Sequence, residues 1–158
     1  MKISLNQSMK HSQIIIVGNT GSLRAYRITE SSVVHRRPAE MIRKIEYEQA
    51  HKKLSEMVTD RQGRFRGSGD ANSPSRSSGE QHKLFEEMKK KSVRQLAHDI
   101  EGIIKHSLAE KIHIALPKLI SADVVSKLSK SSKERIGKNV TADIVKEPVA
   151  DLRTRFKI

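Results

Sequence analysis

Ser92-Val93-Arg94-Gln95-Leu96-Ala97-His98-Asp99-Ile100-Glu101-Gly102-Ile103-Ile104, followed shortly by Lys111-Ile112-His113-Ile114-Ala115-Leu116-Pro117, decides the fold class. In the first segment Val93, Leu96, Ala97, Ile100, Ile103 and Ile104 fall on one stripe of a helix, which predicts a helix over Gln81–Leu108 that packs on a sheet. In the second, Ile112 and Ile114 alternate with Lys111 and His113 until Pro117 stops the run, which reads as a short strand. A long helix between two strands of one sheet implies a parallel crossover.

Upstream, Gln13–Val17 is a β-branched run that ends at Gly18-Asn19-Thr20-Gly21. Beyond this turn Leu23, Ala25 and Arg27 alternate with Arg24, Tyr26 and Ile28, which predicts a hairpin. The first strand is apolar throughout, as a central strand buried on both faces would be. The stretch from Pro38 to Val58 has two readings. One is a strand through Met41, Ile42, Lys44, Ile45 and Tyr47, then a short helix from about Gln49 carrying Leu54, Met57 and Val58. The other is a single helix with Pro38 in its first turn, the choice that propensity favours.

Downstream, helical character returns from Ser121, read as a cap, through Val124, Val125 and Leu128, with a further short turn at Glu134 and Arg135. Val140–Val145 reads as the last strand, and Pro148 opens a terminal helix with Val149, Leu152 and Phe156 inward. The expectation is an α/β fold with a mixed five-stranded sheet. Its first strands are antiparallel, its last two run parallel to the first, and helices lie on the sheet faces. Ile14, Ile16, Leu23, Leu96, Ile100, Ile114 and Val140 are the expected core. Met1–Ser12 reads as a flexible tail, and residues 13–158 as a single domain with a long loop at 59–81.

That loop has no Leu, Ile, Val or Met between Val58 and Leu84. Arg61, Arg64 and Arg66 stand beside Gly63, Gly67 and Gly69, so guanidinium forks and unhindered amides lie close together, a chemistry that suits phosphate. Asp60 and Gly63 are read as shaping the loop: Asp60 as a turn cap or as partner to an arginine, Gly63 as the residue free to take φ > 0. The Ser-rich part, Ala71–Ser78, has the composition of a solvated linker. Lys83, Lys90 and Arg94 share one face of the following helix and, with Lys89 and Lys91, form a basic ridge continuous with the loop.

The chain carries 31 Lys and Arg against 18 Asp and Glu, a net charge of +13, which favours a polyanionic partner. RNA or the ribosome comes first and an anionic membrane surface second. Tyr26, Tyr47, Phe65, Phe85 and Phe156 are the only aromatic residues, too few for rows of base-stacking platforms, so contacts would go mainly to phosphate. His82, His98 and His106 are too far apart along a helix to share a metal ion, and no metal or other cofactor is expected. There is no cysteine, and the N-terminal stretch has no apolar signal core, so a cytoplasmic location is expected.

Leu54-Ser55-Glu56-Met57-Val58-Thr59-Asp60-Arg61-Gln62-Gly63-Arg64-Phe65 resembles the bacterial host attachment protein family, in which an acidic-aliphatic pair precedes Asp-Arg-x-Gly-Arg and an aromatic residue. Ile14–Val17 with Leu23–Arg27, Val93–Ala97, Ile112–Pro117 and Val140–Lys146 extend the resemblance over Ile14–Phe156. Ser121, where a glycine is usual, and Glu147, in place of an aspartate, depart from the family pattern. The resemblance favours the strand reading after Pro38. It also implies a ribonuclease-H-like domain similar to the middle domain of the archaeal and eukaryotic peptide-chain release factor, whose loop carries Gly-Gly-Gln. Here the loop ends Gly79-Glu80-Gln81, with an acidic side chain in place of the second glycine. The expected function is therefore a non-catalytic, polyanion-binding module. The alternatives are a release-factor-type hydrolase acting on an ester, and a factor in attachment to host cells.

Overall fold

The computed structural model describes residues 12–29, 39–47 and 76–158. The chain runs β1 (Gln13–Gly18), β2 (Ser22–Ile28), β3 (Ala39–Glu46), α1 (Arg76–His106), β4 (Lys111–Leu116), α2 (Lys118–Ser126), α3 (Lys130–Glu134), β5 (Ile136–Thr141) and α4 (Val149–Phe156). One five-stranded sheet has the order β3-β2-β1-β4-β5. β1–β2 and β2–β3 are antiparallel, while β1–β4 and β4–β5 are parallel. The mixed α/β sheet expected from the hairpin and crossover is the one observed.

β1 holds the centre because Ile14, Ile15, Ile16 and Val17 leave no polar face for water. Ile14 and Ile16 join Leu23, Ala25, Ile112 and Ile114 beneath Val93, Leu96, Ile100 and Ile104 of α1. Ile15 and Val17 pack on the other face with Tyr26, Ile28, Ala115, Leu152 and Phe156 beneath α4. Gly18 permits the tight end of β1, since a Cβ there would lie 2.9 Å from Leu23 Cδ1 and 3.2 Å from Leu116 Cδ2. Asn19 closes the hairpin by accepting from the amides of Gly21 and Ser22, each at 2.8 Å.

Residues 39–46 form a strand, so the propensity-based helix does not occur there. Ile42 is the residue skipped where the β2–β3 register shifts, which lets both Ile42 and Ile45 pack toward the α1 side. A bulge has therefore produced a spacing of apolar residues that looks helical, and pairing with β2 overrides propensity. The helix expected from about Gln49 lies outside the described residues.

Four boundaries differ from the sequence reading. α1 begins at Arg76, inside the stretch read as loop, because once its packed part is formed each added residue gains a backbone hydrogen bond. α2 starts directly after Pro117, whose carbonyl accepts from Ile120 and Ser121 at 3.0 Å, so Ser121 is not a cap; it is buried, with Oγ 3.4 Å from Asn139 Oδ1. β5 spans Ile136–Thr141 rather than Val140–Val145, since the backbone that pairs with β4 lies earlier. Val140 is consequently only part-buried on an edge strand, while Ile144 and Val145 are buried from the turn beyond. Ser12, read as tail, is buried.

Arg135, between α3 and β5, terminates α1. Its guanidinium donates to the carbonyl of Ile104 (2.7 Å) in the last turn of α1 and to those of Ser107 (2.9 Å) and Ala109 (2.6 Å) in the turn that follows, adding a charged donor where the helical ladder runs out. This cross-chain cap fixes the entry into β4.

Candidate nucleic-acid interface

Lys83, Lys90 and Arg94 are all exposed on α1 and fall on one line of the helix, as their spacing predicts. Arg61, Arg64 and Arg66, together with Asp60 and Gly63, lie outside the described residues. Gly79, Glu80 and Gln81 sit within the opening turns of α1, in helical backbone.

Packing of α2 against α1 turns the ridge into one wall of a cleft of about 440 Å3. Lys90 and Arg94 stand on the α1 side and Lys127 closes the α2 side, with buried Val93 between them. Lys89, which the sequence placed on the ridge, turns across to Asp123 at 3.2 Å with its side chain only 20% exposed. It is a link between helices and its charge is met. Glu86 also borders the cleft. Among the described residues Lys90, Arg94 and Lys127 make no ion pair, so three cations outnumber the one remaining carboxylate, Glu86, around this concavity. Such an array can take successive phosphate oxygens, with the Arg94 fork able to bind bidentately.

The sequence reading missed Lys127. Its signal is non-local, because nothing in the spacing of α2 shows that the end of that helix lies beside Arg94. A further short-range effect holds α2 in place: Lys133 Nζ donates to the Ser126 carbonyl at 3.0 Å, satisfying the C-terminal end of the helix.

A second cleft, of about 460 Å3, lies between β3 and α1 and includes Arg43, His98, Asp99 and His106. Asp99 is held there by the Tyr47 hydroxyl at 2.6 Å and by Gln95 Nε2 at 3.2 Å. Burial and then the bond to Asp99 push the Tyr47 phenol well above its usual range, so it remains a donor. His106 Nδ1 lies 2.7 Å from the Gly102 carbonyl and donates to it, since a carbonyl only accepts. The Tyr47–Asp99 bond ties the end of β3 to α1.

Fold and site together define a mixed-sheet α/β protein with a basic groove beside its long helix. The family model described as "Protein required for attachment to host cells" matches residues 14–156, and the chain belongs to that family. Among curated proteins none matches. In solved structures the chain is similar to an archaeal translation termination factor, with TM-score 0.45 and 10% identity over 93% of this chain and 35% of that one. It is likewise similar to a structure described as an archaeal protein, with TM-score 0.39 and 11% identity over 92% of this chain and 39% of that one. The chain thus spans well under half the length of either. Among the described residues no helix is long and apolar enough to cross a membrane.

Proposed function

We propose that this member of the host attachment family is a non-catalytic module that binds RNA, such as tRNA or ribosomal RNA, through its phosphates. The observation that carries the reading is the set Lys90, Arg94 and Lys127 around the α1–α2 cleft, without ion-pair partners among the described residues, beside a neighbour, Lys89, whose charge Asp123 has met. Lys83 extends the same line toward the helix start, and the overall charge of +13 supplies the long-range attraction. Arg61, Arg64 and Arg66 add, from the sequence, a second group of guanidinium forks ahead of that helix. The protein acts in the cytoplasm, and its effect on attachment is indirect; fractionation of cells producing the native protein checks the location.

Binding of labelled tRNA across a salt series tests the interface. Affinity falls steeply with rising salt, and Lys90→Ala with Arg94→Ala reduces the slope of log K against log salt by about one to two. Arg64→Ala with Arg66→Ala does the same while leaving the melting temperature unchanged. A salt slope unaltered in both pairs of variants would overturn the reading.

A further inference from the structure

The face of the sheet opposite α1 carries two arginines whose buried nitrogens lack acceptors. Nε of Arg24, and Nε and Nη2 of Arg153, are enclosed and make no hydrogen bond among the described residues. Arg24 sits in β2 between Leu23 and Ala25, both of which face α1, so its own side chain faces α4. Its partner in the ladder is Val17, which packs beneath α4.

Arg153 follows Leu152, a wholly buried residue of α4, and lies about 100° further round the helix, on the flank of the buried stripe. α4 runs antiparallel to β1. Pro148 shares a concavity with Asn19 at the end of that strand, and the Phe156 ring lies 5.6 Å from that of His113, whose Nε2 reaches Gln13 at its start. Because a parallel crossover such as β1–α1–β4 is right-handed as a rule, a helix so oriented on the opposite face turns Arg153 toward the β2 side, where Arg24 lies.

Among the described residues, the side-chain carboxylates near this face are engaged elsewhere or turned away. Glu147 takes Arg155 through two bonds of 2.6 Å, Asp143 takes Asn19, and Glu46 takes Lys44, the ladder partner of Arg24 on β3. Asp151 is exposed and lies about 100° round α4 from Leu152 in the opposite sense, on the flank away from Arg153. Positive charge with buried, unmet donors therefore gathers at the β2–α4 junction, and buried donors of this kind require an acceptor.

We propose that Arg24 and Arg153 form a binding site for a dianionic phosphate group, either free phosphate or a phosphomonoester. Two planar forks presented from different elements suit three tetrahedrally disposed oxygens better than a single planar carboxylate. This site lies on the other face of the sheet from the RNA-binding cleft and is independent of it.

Calorimetric titration with inorganic phosphate at about pH 7.5 tests the site, at an ionic strength held constant with sodium chloride. Glycerol phosphate and acetate serve as comparison ligands. Saturable binding of inorganic phosphate or of glycerol phosphate is expected, the tighter of the two marking the natural source, with acetate at least tenfold weaker. Arg153→Met and Arg24→Met each weaken phosphate binding at least tenfold, and because each removes an unmet buried donor, neither lowers the melting temperature in chloride. Lys90→Ala with Arg94→Ala leaves phosphate binding unchanged, which separates this site from the cleft. No saturable binding of either phosphate, or binding that survives both methionine substitutions, overturns the proposal. Should a methionine variant fail to fold, Arg153→Lys replaces it: the single ammonium loses the fork, and retention of full affinity would equally overturn the site.

Discussion

Glu101 of α1 accepts from both the backbone amide (3.1 Å) and the hydroxyl (2.6 Å) of Ser129, the residue that caps α3. A carboxylate on one helix thus secures the start of another. Burial opposes its ionisation, but the two bonds from Ser129, aided by Ser132 and Lys105, outweigh that cost and hold Glu101 down at about 2. Since the folded value lies below the ordinary 4.5, the stabilisation is fully present above about pH 4.5 and is lost as pH falls toward 2. Urea denaturation at a series of acid pH values should show this loss. Glu101→Gln should flatten that part of the profile and cost about 1 to 2 kcal/mol at neutral pH.

Arg135→Ala should destabilise the protein by about 2 to 3 kcal/mol, because three carbonyls in the last turn of α1 and the turn after it lose a charged donor together. Arg135→Lys recovers only part of this, since one ammonium cannot reproduce the fork. Hydrogen exchange should report the effect first in the last turn of α1, before global unfolding.

His113 is 3% exposed, donates through Nε2 to Gln13 Oε1 at 2.9 Å, and has Nδ1 buried without a partner among the described residues. Burial, then the charges of Lys138 and Lys111, lower its pKa, so the folded protein resists protonation of the ring. The unfolded chain binds the proton more readily, and stability should fall as pH drops through about 6.5. Proton NMR should show His113 titrating at lower pH than a histidine in the unfolded chain.

A Cβ at Gly137 would approach His113 Cε1 to 3.0 Å and Nδ1 to 3.3 Å, beside the register shift between β4 and β5. Gly137→Ala should therefore cost about 1 to 3 kcal/mol through overpacking. Combined with His113→Val, which removes the obstructing ring, its additional cost should shrink in a double-mutant cycle of melting measurements.

Tyr47→Phe removes the 2.6 Å bond to Asp99 and leaves its part-buried carboxylate, among the described residues, with Gln95 alone, at an expected cost of about 1 to 2 kcal/mol. Because burial and Asp99 both oppose ionisation of the phenol, ultraviolet titration of the folded protein should show the Tyr47 step delayed to strongly alkaline pH or to unfolding.

Local periodicity was enough to specify the elements whose faces it writes. Ile14–Val17 admits no solvent face and so must be central; the stripe from Val93 to Ile104 makes one side of α1 apolar; the break at Pro117 ends β4. Lys83, Lys90 and Arg94 share a line for the same reason, since spacing along a helix sets direction. Tertiary structure decided whatever depends on a partner distant in the chain. The bulge opposite Ala25 and Tyr26 makes a strand of residues that read as helix, and β4 selects Ile136–Thr141 over the more apolar stretch that follows. Asp123 withdraws Lys89 from the ridge while the docking of α2 adds Lys127 to it. The physical reason is the same each time: periodicity tells a residue which way to face, but pairing and charge compensation depend on what another segment brings to meet it.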